Sequence, residues 1–112
     1  MEIDTRQEGN VLVVIPMEQR LDASHAMDFK GKMVDWINEG HTRILLDLSH
    51  VDFVDSSGLG AMVSSLKTIG KDGDLMICGV GKTVMSLFQL TRMNRVFRIL
   101  PSQEEALQAL SV

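Results

Sequence analysis

The chain has 112 residues, 45% apolar and 23% charged, with a net charge of -4. That is the size and balance of one globular domain with a single core, so one domain over residues 1–112 is expected. An acidic chain with four Phe, one Trp and no Tyr, whose basic residues are scattered apart from Arg92, Arg95 and Arg98, makes a poor nucleic-acid binder.

No apolar run approaches the ~20 residues that span a bilayer, and the first ten residues have neither the basic start nor the apolar stretch of a signal peptide. Cys78 is the single cysteine, which excludes an internal disulfide and a cysteine-based zinc cage. Its place in "LMICGV" reads as a buried strand thiol. These features predict a cytoplasmic protein that docks on no membrane and carries no metal or cofactor.

"IDTRQ" and "VLVVIPM", separated by Glu8, Gly9 and Asn10, predict a β-hairpin. Pro16 has no N–H to donate and calls for a strand end, an edge or a bulge. Asp22, Ala23 and Ser24 offer helix caps, and Ala26, Phe29, Met33, Trp36 and Ile37 follow at spacings of three and four up to the stop at Gly40. "RILLDL" is a continuous apolar run, as a strand covered on both faces requires. In "SSGLGAMVSSLKTIGKDG" the stripe Leu59, Met62, Val63, Leu66 and Ile69 predicts a helix from near Ser57 to about Gly70, opposite an outward stripe of Gly60, Ser64, Lys67 and Lys71. "DLMICGV" is a second buried strand.

Val84, Leu87, Phe88 and Thr91 then recur at helical spacing, "VFRIL" before Pro101 reads as a last strand, and Ser102 with Glu105 forms a capping box for "SQEEALQAL". Strands alternating with helices predict an α/β fold of about five strands and four helices. Its central sheet should be mostly parallel, with one antiparallel strand contributed by the opening hairpin.

Three stretches could carry chemistry. "MICGVGKTV" imitates a phosphate-binding loop, but the glycine such a loop needs five positions before Gly81 is Met76, which leaves the cradle too short. A serine hydrolase built from Ser56 or Ser57 with His25, His41 or His50 lacks the G-x-S-x-G elbow. The third is "VDFVDSSGLG". Asp55 or Ser56 falls at a helix N-cap, and Gly58 and Gly60 lie in the first turns, where each glycine costs ~1 kcal/mol against alanine. A helix that gives up this much propensity gains close approach by its own sheet or by a partner.

A phosphoryl group on Ser56 would meet the exposed N–H groups of that helix start, so the fold could carry it. A partner docked there would meet a new charge of about -1.5 to -2 beside Asp55 and Asp52.

The motif "VDFVDSSGLGAMV", the hairpin start, "RLD" before the first helix and the late "SLFQLTRMNRVFRIL" resemble the STAS domain of bacterial anti-sigma factor antagonists over nearly the whole chain. The resemblance implies a STAS fold and a non-enzymatic regulator that is a monomer. It makes Ser56 the phosphorylation site, with Asp55, Ser57, Gly58, Leu59 and Gly60 as its motif and Asp22 beside it at the same end of the sheet. The implied partners are an anti-sigma factor/serine kinase of GHKL type, released by phosphorylation, and a PP2C-like serine phosphatase that restores binding. Ser64 and Lys67 extend the expected partner-binding face along the helix. Arg20 departs from the family, which has a negative residue in that place. Relatives acting on biofilm or motility outputs, a nucleotide-sensing STAS module centred on "GVGKT", and a docking domain without phosphorylation are the alternatives.

Overall fold

The computed structural model describes residues 1–110. Its elements in chain order are β1 (Ile3–Glu8), β2 (Val11–Pro16), β3 (Arg20–Leu21), α1 (Ala23–Asn38), β4 (Arg43–Asp47), β5 (Phe53–Val54), α2 (Ser56–Ile69), β6 (Asp74–Cys78), α3 (Lys82–Leu90), β7 (Arg98–Leu100) and α4 (Gln103–Leu110). A short 3-10 turn, Met93–Arg95, follows α3. The main sheet has the order β1-β2-β4-β6-β7. Its β1-β2 hairpin is antiparallel and every other pair is parallel. The expected alternation of strands and helices and the hairpin strand are both present.

Gly9 turns the hairpin at φ +60°, a conformation that costs glycine little. Pro16 is the last residue of β2 and lies beyond the positions that pair with β4, so its missing donor interrupts no parallel ladder. After β2, each step adds the next strand on the same side. Right-handed crossovers in one direction must then place α1, α2 and α3 on one face. The strand side chains divide accordingly. Leu12, Val14, Ile44, Leu46, Leu75 and Ile77 join Phe29, Met33, Met62 and Phe88 in the larger core. Val11, Val13, Leu45, Met76 and Cys78 face Ala106 and Leu110 of α4. Period-2 alternation in each strand feeds two layers, which is why "VLVV" and "ILLDL" read as unbroken apolar runs.

On α1 the expected stripe is buried at Ala26, Phe29, Met33 and Ile37, with Trp36 half-buried at its margin. The fully enclosed Phe29 is the sort of side chain whose truncation costs about 3–5 kcal/mol. On α2 the buried stripe is displaced from the expected one: Leu59, Met62 and Ile69 are buried, but Val63 and Leu66 are only half-buried. It includes Ala61 and Ser65, whose hydroxyl donates to the Ala61 carbonyl at 2.8 Å and is thereby satisfied inside the core.

One element was not expected. The two-residue strands β3 and β5 pair in parallel, Arg20 with Phe53 and Leu21 with Val54, apart from the main sheet. Neither is long enough to show a period.

Candidate functional site at the start of helix α2

The β3–β5 pair holds two helix starts together. Residues Asp52 and Phe53 both donate their backbone N–H to the Gln19 carbonyl, at 2.7 and 3.2 Å. The loop after β4 is thus pinned to the loop before α1. Asp22 caps α1 by accepting from the Ser24 N–H at 3.1 Å, and Asp55 caps α2 by accepting from the Gly58 N–H at 2.9 Å. The second carboxylate oxygen of Asp55 accepts from the Ala23 N–H at 3.2 Å. One side chain therefore serves the starts of both helices, where unpaired N–H groups and the helix dipoles favour a negative charge. The expected adjacency of Asp22 and the serine motif is present.

Of the two expected cap positions, Asp55 is the cap, and Ser56 is the first helical residue. Ser56 and Ser57 are both exposed, and among the described residues the Ser56 hydroxyl has no hydrogen-bond partner. The two glycines that follow do different work. A Cβ on Gly58 would lie 2.1 Å from the Leu21 carbonyl oxygen, whereas a Cβ on Gly60 would meet nothing within 4 Å. Close approach by the chain's own backbone thus accounts for Gly58, and internal packing does not account for Gly60.

This corrects part of the expected partner-binding set. Gly58 and Leu59 are buried and seat α2 against β3 and the core, so they offer a partner no side chain. Ser56, Ser57, Gly60 and Lys67 are exposed, Asp22, Asp55 and Ser64 half-buried. These seven remain together on one surface strip.

Arg20, read from the sequence as a departure from the resembled family, is fixed from two sides. Its guanidinium lies over the Phe53 ring at 4.1 Å, and its Nε donates to Asp22 at 3.1 Å. Hydrogen bonds from the Ser24 hydroxyl and from Arg20 hold the Asp22 carboxyl below its ordinary value. His25 places Nδ1 2.9 Å from the Arg20 carbonyl oxygen and 3.7 Å from Asp22, and no hydrogen bond links it to either motif serine. No hydrogen bond links His41 or His50 to those serines either, so a Ser-His pair for hydrolysis is not assembled among the described residues. Sequence reasoning missed the Arg20–Phe53 stack because the two residues meet only through the β3–β5 register. An aromatic residue preceding a D-S-S-G motif was the available signal.

At "GVGKT", Gly79 turns at φ +71° and Gly81 starts α3 without a side-chain cap. Met76 sits buried in the middle of β6, so the chain there is strand and not loop. Gly79 is required by a neighbour, since a Cβ would come 2.6 Å from the Asp47 carboxylate. Burial pushes the Cys78 thiol up to about 12, with the nearby Asp47 adding to the effect.

The pattern of the STAS domain family matches residues 2–106. The chain belongs to the STAS family. Within it, the chain is 35% identical over 114 residues to the anti-sigma F factor antagonist of Paenibacillus polymyxa, covering 99% of this chain and 93% of that one. The structure of an anti-sigma-factor antagonist (STAS) domain protein from Planctomyces limnophilus superposes with a TM-score of 0.85 at 26% identity, covering 96% of each chain. The Bacillus cell fate determinant SpoIIAA in its phosphorylated form shares the fold, with a TM-score of 0.73 at 19% identity over 97% of this chain and 99% of that one. The fold expected from the sequence is thus the STAS fold, and the protein is of the anti-sigma factor antagonist kind. No helix among the described residues is long and apolar enough to cross a membrane.

Proposed function

We propose that this STAS protein is a phosphorylation-controlled binding regulator. Unphosphorylated, it engages an anti-sigma factor that is also a serine kinase of GHKL type; phosphorylation of Ser56 releases it, and a PP2C-like phosphatase restores binding. The chain is a substrate of these enzymes and supplies no catalysis itself.

The observation that carries the reading is the Ser56 hydroxyl, exposed and unpaired at the first position of α2. A phosphoryl group there adds about -1.5 to -2 charge where helix N–H groups and the dipole tolerate an anion, so the domain keeps its fold. The same charge lies in a surface that already holds Asp52 and Asp55, and an interface there loses both shape and electrostatic fit. Each ~1.4 kcal/mol of that loss lowers affinity tenfold. Support also comes from the relatives, one named as an anti-sigma F factor antagonist and a neighbour in fold solved in a phosphorylated form.

The test is incubation with ATP, magnesium and the cognate kinase, followed by mass spectrometry of the wild type and Ser56→Ala. One phosphate on the wild type and none on the variant is expected. Phosphate retained by Ser56→Ala would move the site to Ser57 or elsewhere. Its absence from both proteins, with the partner still bound, would reduce the protein to a docking domain.

A further inference from the structure

Helices α1 and α2 run side by side from the capped ends, and an open groove of about 330 Å³ lies between them, lined by Ala26, Met27 and Lys30 of α1 and by Ser57, Gly60 and Ser64 of α2. Met27 is 87% exposed, the most exposed of the large apolar side chains among the described residues. The expected docking face took in the loop at Asp22 and the α2 residues but none of the helical residues of α1, yet this thioether stands across the groove from the open Gly60. Lys30 borders the groove, and Lys67 stands one turn beyond Ser64. Neither lysine has an ion-pair partner among the described residues, and Asp28, the acidic neighbour of Met27, is taken up by the Met1 amine and Lys32.

We infer that the α1–α2 groove seats an acidic segment of the protein partner, with an apolar side chain packed between Met27 and Gly60 and carboxylates facing Lys30 and Lys67. The inference rests on the proposed function and supplies the chemistry of its partner. Charge decides the occupant. Two unpaired lysines attract carboxylates, and they do so on a chain whose net charge of -4 otherwise repels acidic proteins. The sign of the switch agrees. A phosphate beside Ser57 repels an acidic segment and would attract a basic one, so release on phosphorylation agrees with the former. Met side chains adapt to varied apolar partners, and a glycine opposite leaves room for a large side chain.

Photo-crosslinking in the source cell tests this. Benzoylphenylalanine replaces Met27 in one strain and Ser57 in another; both sites are exposed, and circular dichroism of each purified variant checks the fold. Expected is one partner protein captured by both probes. Its cross-linked peptide from the position-27 probe should carry net negative charge and at least one large apolar residue. Lys30→Glu with Lys67→Glu should lower the affinity of that purified partner at least about tenfold, with a weaker dependence on salt. An adduct from position 57 without one from position 27 overturns the groove and leaves the switch standing. Adducts from both positions that persist in Ser56→Asp overturn the switch and leave the groove. A basic or wholly polar cross-linked peptide, a second copy of this chain in the adduct, or no protein adduct from position 27 overturns the inference.

Discussion

Replacing Gly58 and Gly60 separately by alanine should give effects of opposite sign. Both changes gain helix propensity, up to about 1 kcal/mol each. At position 58 the new methyl would lie 2.1 Å from the Leu21 carbonyl oxygen, 2.9 Å from its carbon and 3.2 Å from Leu21 Cγ. Carbon–oxygen contacts settle near 3.3 Å, so α2 and β3 must part by about 1 Å. The obstacle is backbone, held by the Asp55 N–H at 3.4 Å and by the β3–β5 register, and no rotamer change relieves it. Overpacking of this kind costs about 1–3 kcal/mol, and the upper end applies where backbone must move. The net loss for Gly58→Ala is then about 2 kcal/mol, a fall in Tm of about 8 °C for a domain of this size. At position 60 nothing lies within 4 Å, and the variant should be as stable as the wild type or more so by up to about 1 kcal/mol. Urea and thermal denaturation followed by circular dichroism measure both. A Gly58→Ala protein with wild-type stability, or a Gly60→Ala protein that loses more than 1 kcal/mol, would refute the assignment of one glycine to the scaffold and the other to the surface.

Other outcomes follow from the same geometry. Ser56→Asp should unfold within about 0.5 kcal/mol of wild type, because the carboxylate stands at a helix start, while isothermal titration shows weaker partner binding than for Ser56→Ala. Asp55→Ala removes an acceptor from both Gly58 and Ala23 and should cost about 1–2 kcal/mol in urea denaturation, more than a single cap. Hydrogen bonds from Ser24 and Arg20 hold the folded Asp22 carboxyl below its ordinary value, so its charge contributes stability at pH well above the ordinary carboxylate range, and that contribution fades as pH falls through the folded value. The difference in Tm between wild type and Asp22→Asn should be constant near neutral pH and close in acid; a gap that persists unchanged at the lowest pH would contradict the linkage. Cys78, with its thiol pushed up to about 12 in a buried strand, should react with a disulfide reagent at pH 8 only at the rate of unfolding.

Much of the fold was legible because its signals are long or local. The stripe Ala26, Phe29, Met33, Ile37 spans three turns, and the Gly9–Asn10 turn, the Pro16 strand end and the Gly70 stop each depend on one residue's backbone chemistry. The β3–β5 pair was not legible. Two residues carry no period, and their partnership is decided by the distant loops at Gln19 and Asp52. The site was legible as a motif but not as a surface. "DSSGLG" marks a helix start rich in small residues, yet only coordinates reveal that the Leu21 carbonyl claims Gly58 and that Met27, on another helix, faces Gly60. Ser65 lies in the core although it is polar. Its hydroxyl bonds within its own helix, which lets a polar residue occupy a core position.

The division between the two glycines bears on how such a site can change partners while keeping its fold. Asp55 and Gly58 are bound into a structural lock. The carboxylate joins two helix starts, and the glycine admits the neighbouring carbonyl. Substitution at either is paid in stability. Among the described residues the side chains of Met27, Lys30 and Lys67 make no hydrogen bond or ion pair and Gly60 has no side chain to make one, so these positions can vary at little cost to the domain. Arg20 shows how such variation is accommodated. Its positive charge is met locally by the Phe53 ring and the Asp22 carboxylate. On the proposed reading, specificity can therefore move along Met27, Lys30 and Lys67, because Ser56 stands on a helix start held by Asp55 and Gly58.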